Sequence, residues 1–142
     1  MPFTYDYPRP MVTVDAVVFR KNGTNTEVLL IKRGHYPYEG LWALPGGFVD
    51  MEETLEDAVC RELKEETSLA GIRLEQLHAF SDIHRDPRGR NISIIFWGIA
   101  TLGNTSVIGG DDAIDARWFA IDQLPGLAFD HIKVIEMAIK KL

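Results

Sequence analysis

The sequence predicts an α/β protein of the mixed α+β kind, a mixed β-sheet with helices packed on it. Two observations carry this expectation. MVTVDAVVFR (11–20) and ISIIFWGIA (92–100) are strongly apolar and rich in β-branched residues, as central strands are. Two other stretches, 54–67 and the segment after Asp130, carry helical periodicity instead. The resulting order is strands, helix, strands, helix, which suits helices laid on a sheet. The length of 142 residues, with 46% hydrophobic and 25% charged, fits a single soluble domain over 1–142 with a real core.

Residues 1–10 contain three prolines and two tyrosines and read as an extended arm, lying on the domain or reaching a second subunit. The first strand, 11–20, ends at a turn over KNGTNT (21–26), and EVLLIKR supplies the second strand. The stretch 34–45, GHYPYEGLWALP, is a Gly, Pro and aromatic loop leading into Gly46-Gly47. Thr54 caps a helix running to Thr67, which has no internal Gly or Pro and carries Glu56 and Asp57 in its first turn. Strands are expected at 72–80, 92–100 and 113–120, with the polar loop SDIHRDPRGRN (81–91) before the second of these. Residues 121–125 read as a short helical turn. Asp130 is expected to cap a terminal helix whose Ile132, Ile135 and Ile139 share a face.

The formal net charge of −6 argues against a nucleic-acid backbone or an anionic membrane as partner. The one cysteine, Cys60, excludes an intramolecular disulfide framework and reads as an idle or structural thiol. No apolar run reaches the roughly 20 residues of a membrane span, and MPFTYDYPRP lacks the form of a signal peptide. The cytoplasm is the default compartment.

The helix at 54–67 poses the chemical question. At about 100° per residue, Leu55, Val59, Ala58 and Leu63 form a core-facing arc, and Glu62 and Glu66 fall on the same arc, with Glu65 at its edge. Like charges at i, i+3 and i+4 repel, and burying carboxylates unpaired is costly. Arg61 can pair with Glu65, but one cation does not balance the cluster. Hard divalent cations bound by oxygen would. The alternative is a solvated acidic helix whose last turns leave the protein body.

Spacing sharpens this. Gly47, five residues, Glu53, seven residues, then Arg61-Glu62-Leu63-Lys64-Glu65-Glu66-Thr67-Ser68-Leu69 resembles the Nudix box, G-x5-E-x7-R-E-U-x-E-E-x-G-U, over 47–69. Every fixed position matches except Ser68, where the family has glycine. That glycine ends the helix in a left-handed conformation, so serine there costs about 1 kcal/mol or shifts the cap. The resemblance implies an α/β/α sandwich with this helix packed on the sheet. It implies that Glu62, Glu65 and Glu66, with the carbonyl of Gly46, bind magnesium or manganese. It implies that Glu53 and Arg61 orient those carboxylates, with Glu53 catalytic in some members, and that Glu65, ahead of Glu62 or Glu53, is the general base. Water then attacks a phosphorus of a nucleoside diphosphate derivative.

YPRPMVTVDAVVF (7–19), RDPRGRNIS (85–93) and LPGLAFDH (124–131) are together similar to the ADP-ribose pyrophosphatase-like branch of the family. Arg85 and Arg88 are candidates for phosphate oxygens; the alternative is a solvated loop shaped by Asp-Pro and Arg-Gly. Arg33 is a further phosphate candidate, Gly47 a point of close substrate approach, and Phe129 either a border of the substrate or a core residue. Tyr36, Tyr38 and Trp42 stack a base or pack, with Trp42 assigned to the core. His84 and His131 are left outside the catalytic set. The expected reaction is ADP-ribose to AMP and ribose 5-phosphate. Hydrolysis of oxidised nucleoside triphosphates and non-catalytic sensing of ADP-ribose are the alternatives. The sensor is disfavoured by the intact glutamates and by a chain that stops about a dozen residues after Asp130, too soon for a winged helix. Arm and family both point toward a homodimer.

Overall fold

The structure is a computed structural model and describes residues 2–142. β1 (Met11–Asn22) and β2 (Asn25–Arg33) form a hairpin in which Asn22 pairs with Asn25. The turn expected over 21–26 therefore shrinks to Gly23 and Thr24, with Gly23 at φ +66°, a conformation glycine adopts without strain. Two strands absent from the sequence reading follow, β3 (Trp42–Ala43) and β4 (Gly46–Phe48). They are too short to show a period of two. Next come α1 (Leu55–Thr67), β5 (Glu75–Phe80), β6 (Asn91–Ile99), β7 (Ala113–Ala120) and α2 (His131–Ile139). The strand expected from Ile72 begins only at Glu75, and 121–125 is a turn rather than helix.

The sheet runs β3-β2-β1-β6-β5, with β4 added on β1 and β7 on β2. β1 and β6 are parallel along Met11–Phe19, and the other pairs are antiparallel, so the sheet is mixed. β1 divides its pairing. Thr13–Asp15 bond β4, whereas Phe19–Asn22 bond β2. That division brings Gly46 and Gly47 alongside Asp15 and Val14.

Alternation along β1 separates two cores. Val14, Ala16 and Val18 pack with Ala58, Val59 and Leu63 of α1, while Val17 and Phe19 pack with Val134, Ile135 and Ala138 of α2. Helices thus cover both faces, the α/β/α sandwich that was expected. The face of α2 differs from the sequence reading: Val134 and Ala138 accompany Ile135 inside, and Ile132 is exposed. No helix among the described residues is long and apolar enough to cross a membrane.

Candidate functional site

α1 is placed by its ends. The Thr54 hydroxyl accepts the Asp57 N–H at 3.1 Å, satisfying one of the free donors of the first turn. Ser68 takes the left-handed conformation, φ 69°, and donates its N–H to the Lys64 carbonyl at 2.9 Å. Serine therefore keeps the cap that glycine normally provides, and the end of the helix has not shifted.

The glycine pair presses the β4 backbone onto this helix. The Gly46 N–H donates to Glu66 Oε1 at 2.7 Å, and a side chain on Gly46 would run into Asp15 and the Val14 carbonyl. A side chain on Gly47 would meet the Glu62 carboxylate at 2.5–2.7 Å. Both positions need glycine for room, not for φ.

Beside the pair opens a pocket of about 280 Å³. Its lining includes the acids Glu62, Glu66 and Asp112 and the cations Arg33 and Arg88, both close to the ring of Phe129. The Phe129 ring lies 5.1 Å from the Arg33 guanidinium, 5.5 Å from that of Arg88 and 4.9 Å from the Tyr38 ring. Arg88 is anchored on Asp86 at 2.8 Å, and Arg33 donates through Nε to the Pro37 carbonyl at 2.6 Å. Tyr36 also lines the pocket, whereas Trp42 packs edge-on against Phe119 at 4.8 Å, in the core as expected.

Among the described residues Glu66 makes no ion pair, and Glu62 has Arg61 alone, at 2.8 Å. Burial pushes the Glu66 carboxyl up to about 8, with Glu62, Asp15 and Asp112 adding repulsion against the Gly46 N–H. Burial also raises Glu62, opposed by Arg61. Burial likewise raises Asp15 to about 7, opposed by Arg85. Hard oxygen donors held with too little positive charge suit a divalent cation. They do not form a finished cage: among the described residues no three acidic, His or Cys side chains converge as a metal site. Glu65 departs from the expected set, because its Oε2 receives Arg61 Nη1 at 3.2 Å and the residue lies outside the pocket lining.

Arg61 organises the outer layer. It donates to both oxygens of Glu53 at 2.6 and 2.9 Å, to Glu62 at 2.8 Å and to the Phe48 carbonyl at 3.1 Å. These bonds, with the Asp50 N–H, hold the Glu53 carboxyl well below the usual range, at about 2. A carboxylate so held is an orienting group and a poor base.

Arg85 lines the same pocket but differs from the free cation expected. It is buried, and its fork is taken up by Asp130, with Nη2 to Oδ1 at 2.6 Å and Nε to Oδ2 at 2.9 Å, while Nη1 donates to Ser93 at 2.9 Å. It is not a free phosphate ligand. For the same reason Asp130 makes no side-chain cap on α2. The structure also adds residues that the sequence reading passed over, Asp15, Asn91, Ser93 and Asp112, and places His131, which was left outside the catalytic set, in the same pocket lining. Asp15 could have been noticed as the one charge inside MVTVDAVVF.

A family model described as NUDIX domain matches residues 9–138. The chain is 45% identical over 130 residues to the ADP-ribose pyrophosphatase of Methanocaldococcus jannaschii, covering 92% of this chain and 73% of that protein. It is 33% identical over 142 residues to the ADPR responsive transcriptional repressor NtrR of Acinetobacter baylyi, covering 96% of this chain but only 56% of the repressor. Among solved structures, the NUDIX domain of Shewanella oneidensis NrtR complexed with ADP ribose superposes with a TM-score of 0.89 at 33% identity, covering 96% of this chain and 93% of that one. The chain belongs to the Nudix family.

Proposed function

We propose that this chain hydrolyses the pyrophosphate of ADP-ribose, or of a closely related nucleoside diphosphate sugar, to AMP and ribose 5-phosphate. One observation carries the reading: Glu62 and Glu66 line a single pocket together with Arg33 and Arg88. A diphosphate bridged to the carboxylates by cations, with its remaining oxygens on guanidiniums, suits that combination. The relatives' names support the choice of ADP-ribose.

Glu62, Glu66 and the Gly46 carbonyl would hold magnesium or manganese, joined by Glu65 once it leaves Arg61. Such an ion polarises phosphoryl oxygens and lowers the pKa of a bound water. The chain's own residues do the rest. Gly47, lacking a side chain, lets the diphosphate approach the helix. Arg33 and Arg88 bind its anionic oxygens, and both guanidiniums lie against Phe129. Arg61 holds Glu53 and orients Glu62, and Glu65 takes the proton of the attacking water.

The test is a substrate panel of ADP-ribose, nucleotide sugars and an oxidised nucleoside triphosphate in ¹⁸O-water, with products identified by mass spectrometry. AMP and ribose 5-phosphate should dominate, a chelator should stop turnover, and magnesium or manganese should restore it. Absence of turnover across the panel would sink the proposal. Faster release from the triphosphate would move the substrate class.

A sensor reading has its own support in the likeness to the ADPR responsive repressor. Glu65→Gln and Glu66→Gln separate the two. Lost turnover with retained ADP-ribose affinity favours catalysis; tight binding without turnover in the unaltered chain favours sensing. We also infer a homodimer, supported by the arm, whose Phe3 and Tyr7 are exposed. Sedimentation of the full chain and of one lacking residues 2–10 would show whether the arm holds it together.

A further inference from the structure

We propose that Phe129 is a positioning residue, its ring carrying the guanidiniums of Arg33 and Arg88 together so that the site takes two linked phosphoryl groups in preference to one. The role rests on the proposed hydrolysis only for the class of ligand.

Phe129 is half-buried. It packs on the cluster of Ile31, Ala113, Ala116 and Ala128, and it also lines the pocket. Its backbone is left-handed, φ +52°, which is unfavourable for a bulky side chain. Tyr38, whose ring meets that of Phe129 at 4.9 Å, is left-handed as well, φ +59°. Backbone of this kind persists only where its surroundings over-determine it, and it gathers at ligand sites. Both neighbours of Phe129 are tied down. Ala128 donates its N–H to the Trp42 carbonyl at 2.8 Å, Asp130 is held by Arg85, and His131 accepts the Leu44 N–H at 3.0 Å. These ties fix the ring where it stands.

The ring meets charge there. The guanidinium carbons of Arg33 and Arg88 lie 5.1 and 5.5 Å from its centroid, within cation–π range. Arg88 also lies 4.9 Å from the centroid of Phe48. Two cations held so near repel, and burial together with the charge of Arg88 lowers the pKa of Arg33. The electron-rich faces of the rings offset that repulsion in part. An anion bridging the two cations removes the rest.

Both guanidiniums keep donors for such an anion. Arg33 uses only Nε, on the Pro37 carbonyl, and Arg88 uses Nε and Nη2, on Asp86. Among the described residues Arg33 Nη1 and Nη2 and Arg88 Nη1 have no partner. Free donors on two cations that share a ring suit two linked phosphoryl groups, one to each guanidinium. A single phosphate gains less from the pair. If Phe129 only filled space beside the alanines, leucine would serve as well.

Calorimetry on the full chain with magnesium in excess, titrating methylenediphosphonate and inorganic phosphate, tests this directly. The diphosphonate carries two phosphoryl groups on a bridge that water does not break. Phe129→Leu should lose on the order of tenfold in diphosphonate affinity, the scale of two partly buried cation–π contacts, with a smaller change for phosphate. Phe129→Tyr, which keeps the aromatic face, should restore it. With ADP-ribose, Phe129→Leu should raise KM by a similar factor and lower kcat less. Undiminished diphosphonate affinity in Phe129→Leu overturns the proposal, and so does an equal loss in Phe129→Tyr. Should neither variant fold, the arginine side-chain resonances of the unaltered chain decide. Those of Arg33 and Arg88, assigned through Arg33→Lys and Arg88→Lys, should both move on adding diphosphonate, and a response from one alone overturns the proposal. Diphosphonate preference without ADP-ribose turnover would remove the proposed reaction and leave the positioning role. Turnover with an unchanged KM in Phe129→Leu would remove the positioning role alone.

Discussion

Neighbouring glycines at 46 and 47 make opposite predictions, because different atoms fill the space where a Cβ would go. At Gly46 the obstacles are Asp15 and the backbone of Val14, which is fixed by strand pairing. Gly46→Ala should therefore destabilise the fold by about 2–3 kcal/mol, the range for overpacking, seen as a lower urea midpoint. At Gly47 the obstacle is the flexible end of Glu62. Gly47→Ala should leave the midpoint nearly unchanged while displacing that carboxylate, at a loss of about 100-fold in kcat/KM. Equal loss of stability in both would contradict this division. Glu53 makes a pH prediction. Its folded pKa is depressed from 4.5 to about 2, so its stabilisation is present above about 4.5 and disappears as the pH falls toward 2. Glu53→Gln should thus lose less stability than the unaltered chain across that acid window. Parallel acid-unfolding curves would show that the Arg61 contact contributes nothing.

α1 carries the prediction that belongs to an element. Ser68 holds a left-handed backbone that glycine adopts without strain, and it retains the capping bond to Lys64. Ser68→Gly should raise stability by about 1 kcal/mol, or roughly 3 °C in Tm for a domain of this size, with kcat unchanged. A fall in Tm would mean that the serine hydroxyl contributes more than the strain costs. This helix was legible in the sequence because its cap, arc and box spacing all agree, and long strands such as β6 were legible from composition. β3 and β4 were not: two or three residues carry no period, and their pairing depends on where β1 changes partner. The acidic lining was half legible. Glu62 and Glu66 follow from helical geometry, but Asp15 and Asp112 reach them only through tertiary folding. The pairing of Arg85 was not legible, because a sequence shows a cation near a phosphate candidate and only the fold shows that Asp130 holds it.

That ion pair matters at the scale of the whole molecule, since it joins the loop before β6 to the start of α2 across 45 positions of chain. Arg85 and Asp130 have side chains only 3% and 13% exposed. Removing one charge from such a pair leaves the other unpaired and desolvated, which typically costs about 3–5 kcal/mol. Arg85→Ala and Asp130→Ala should each lower stability by that order in urea unfolding. Replacing both with leucine should recover most of the loss, because a buried pair contributes little net energy over an apolar filling. The double variant then gives a folded protein in which Ser93 has lost its guanidinium donor and His131 its charged neighbours. If that protein still hydrolyses ADP-ribose, the clasp serves the fold and not the chemistry. If a single substitution costs under about 1 kcal/mol yet abolishes turnover, Arg85 returns to the phosphate-binding set, and the clasp is a resting contact that substrate breaks.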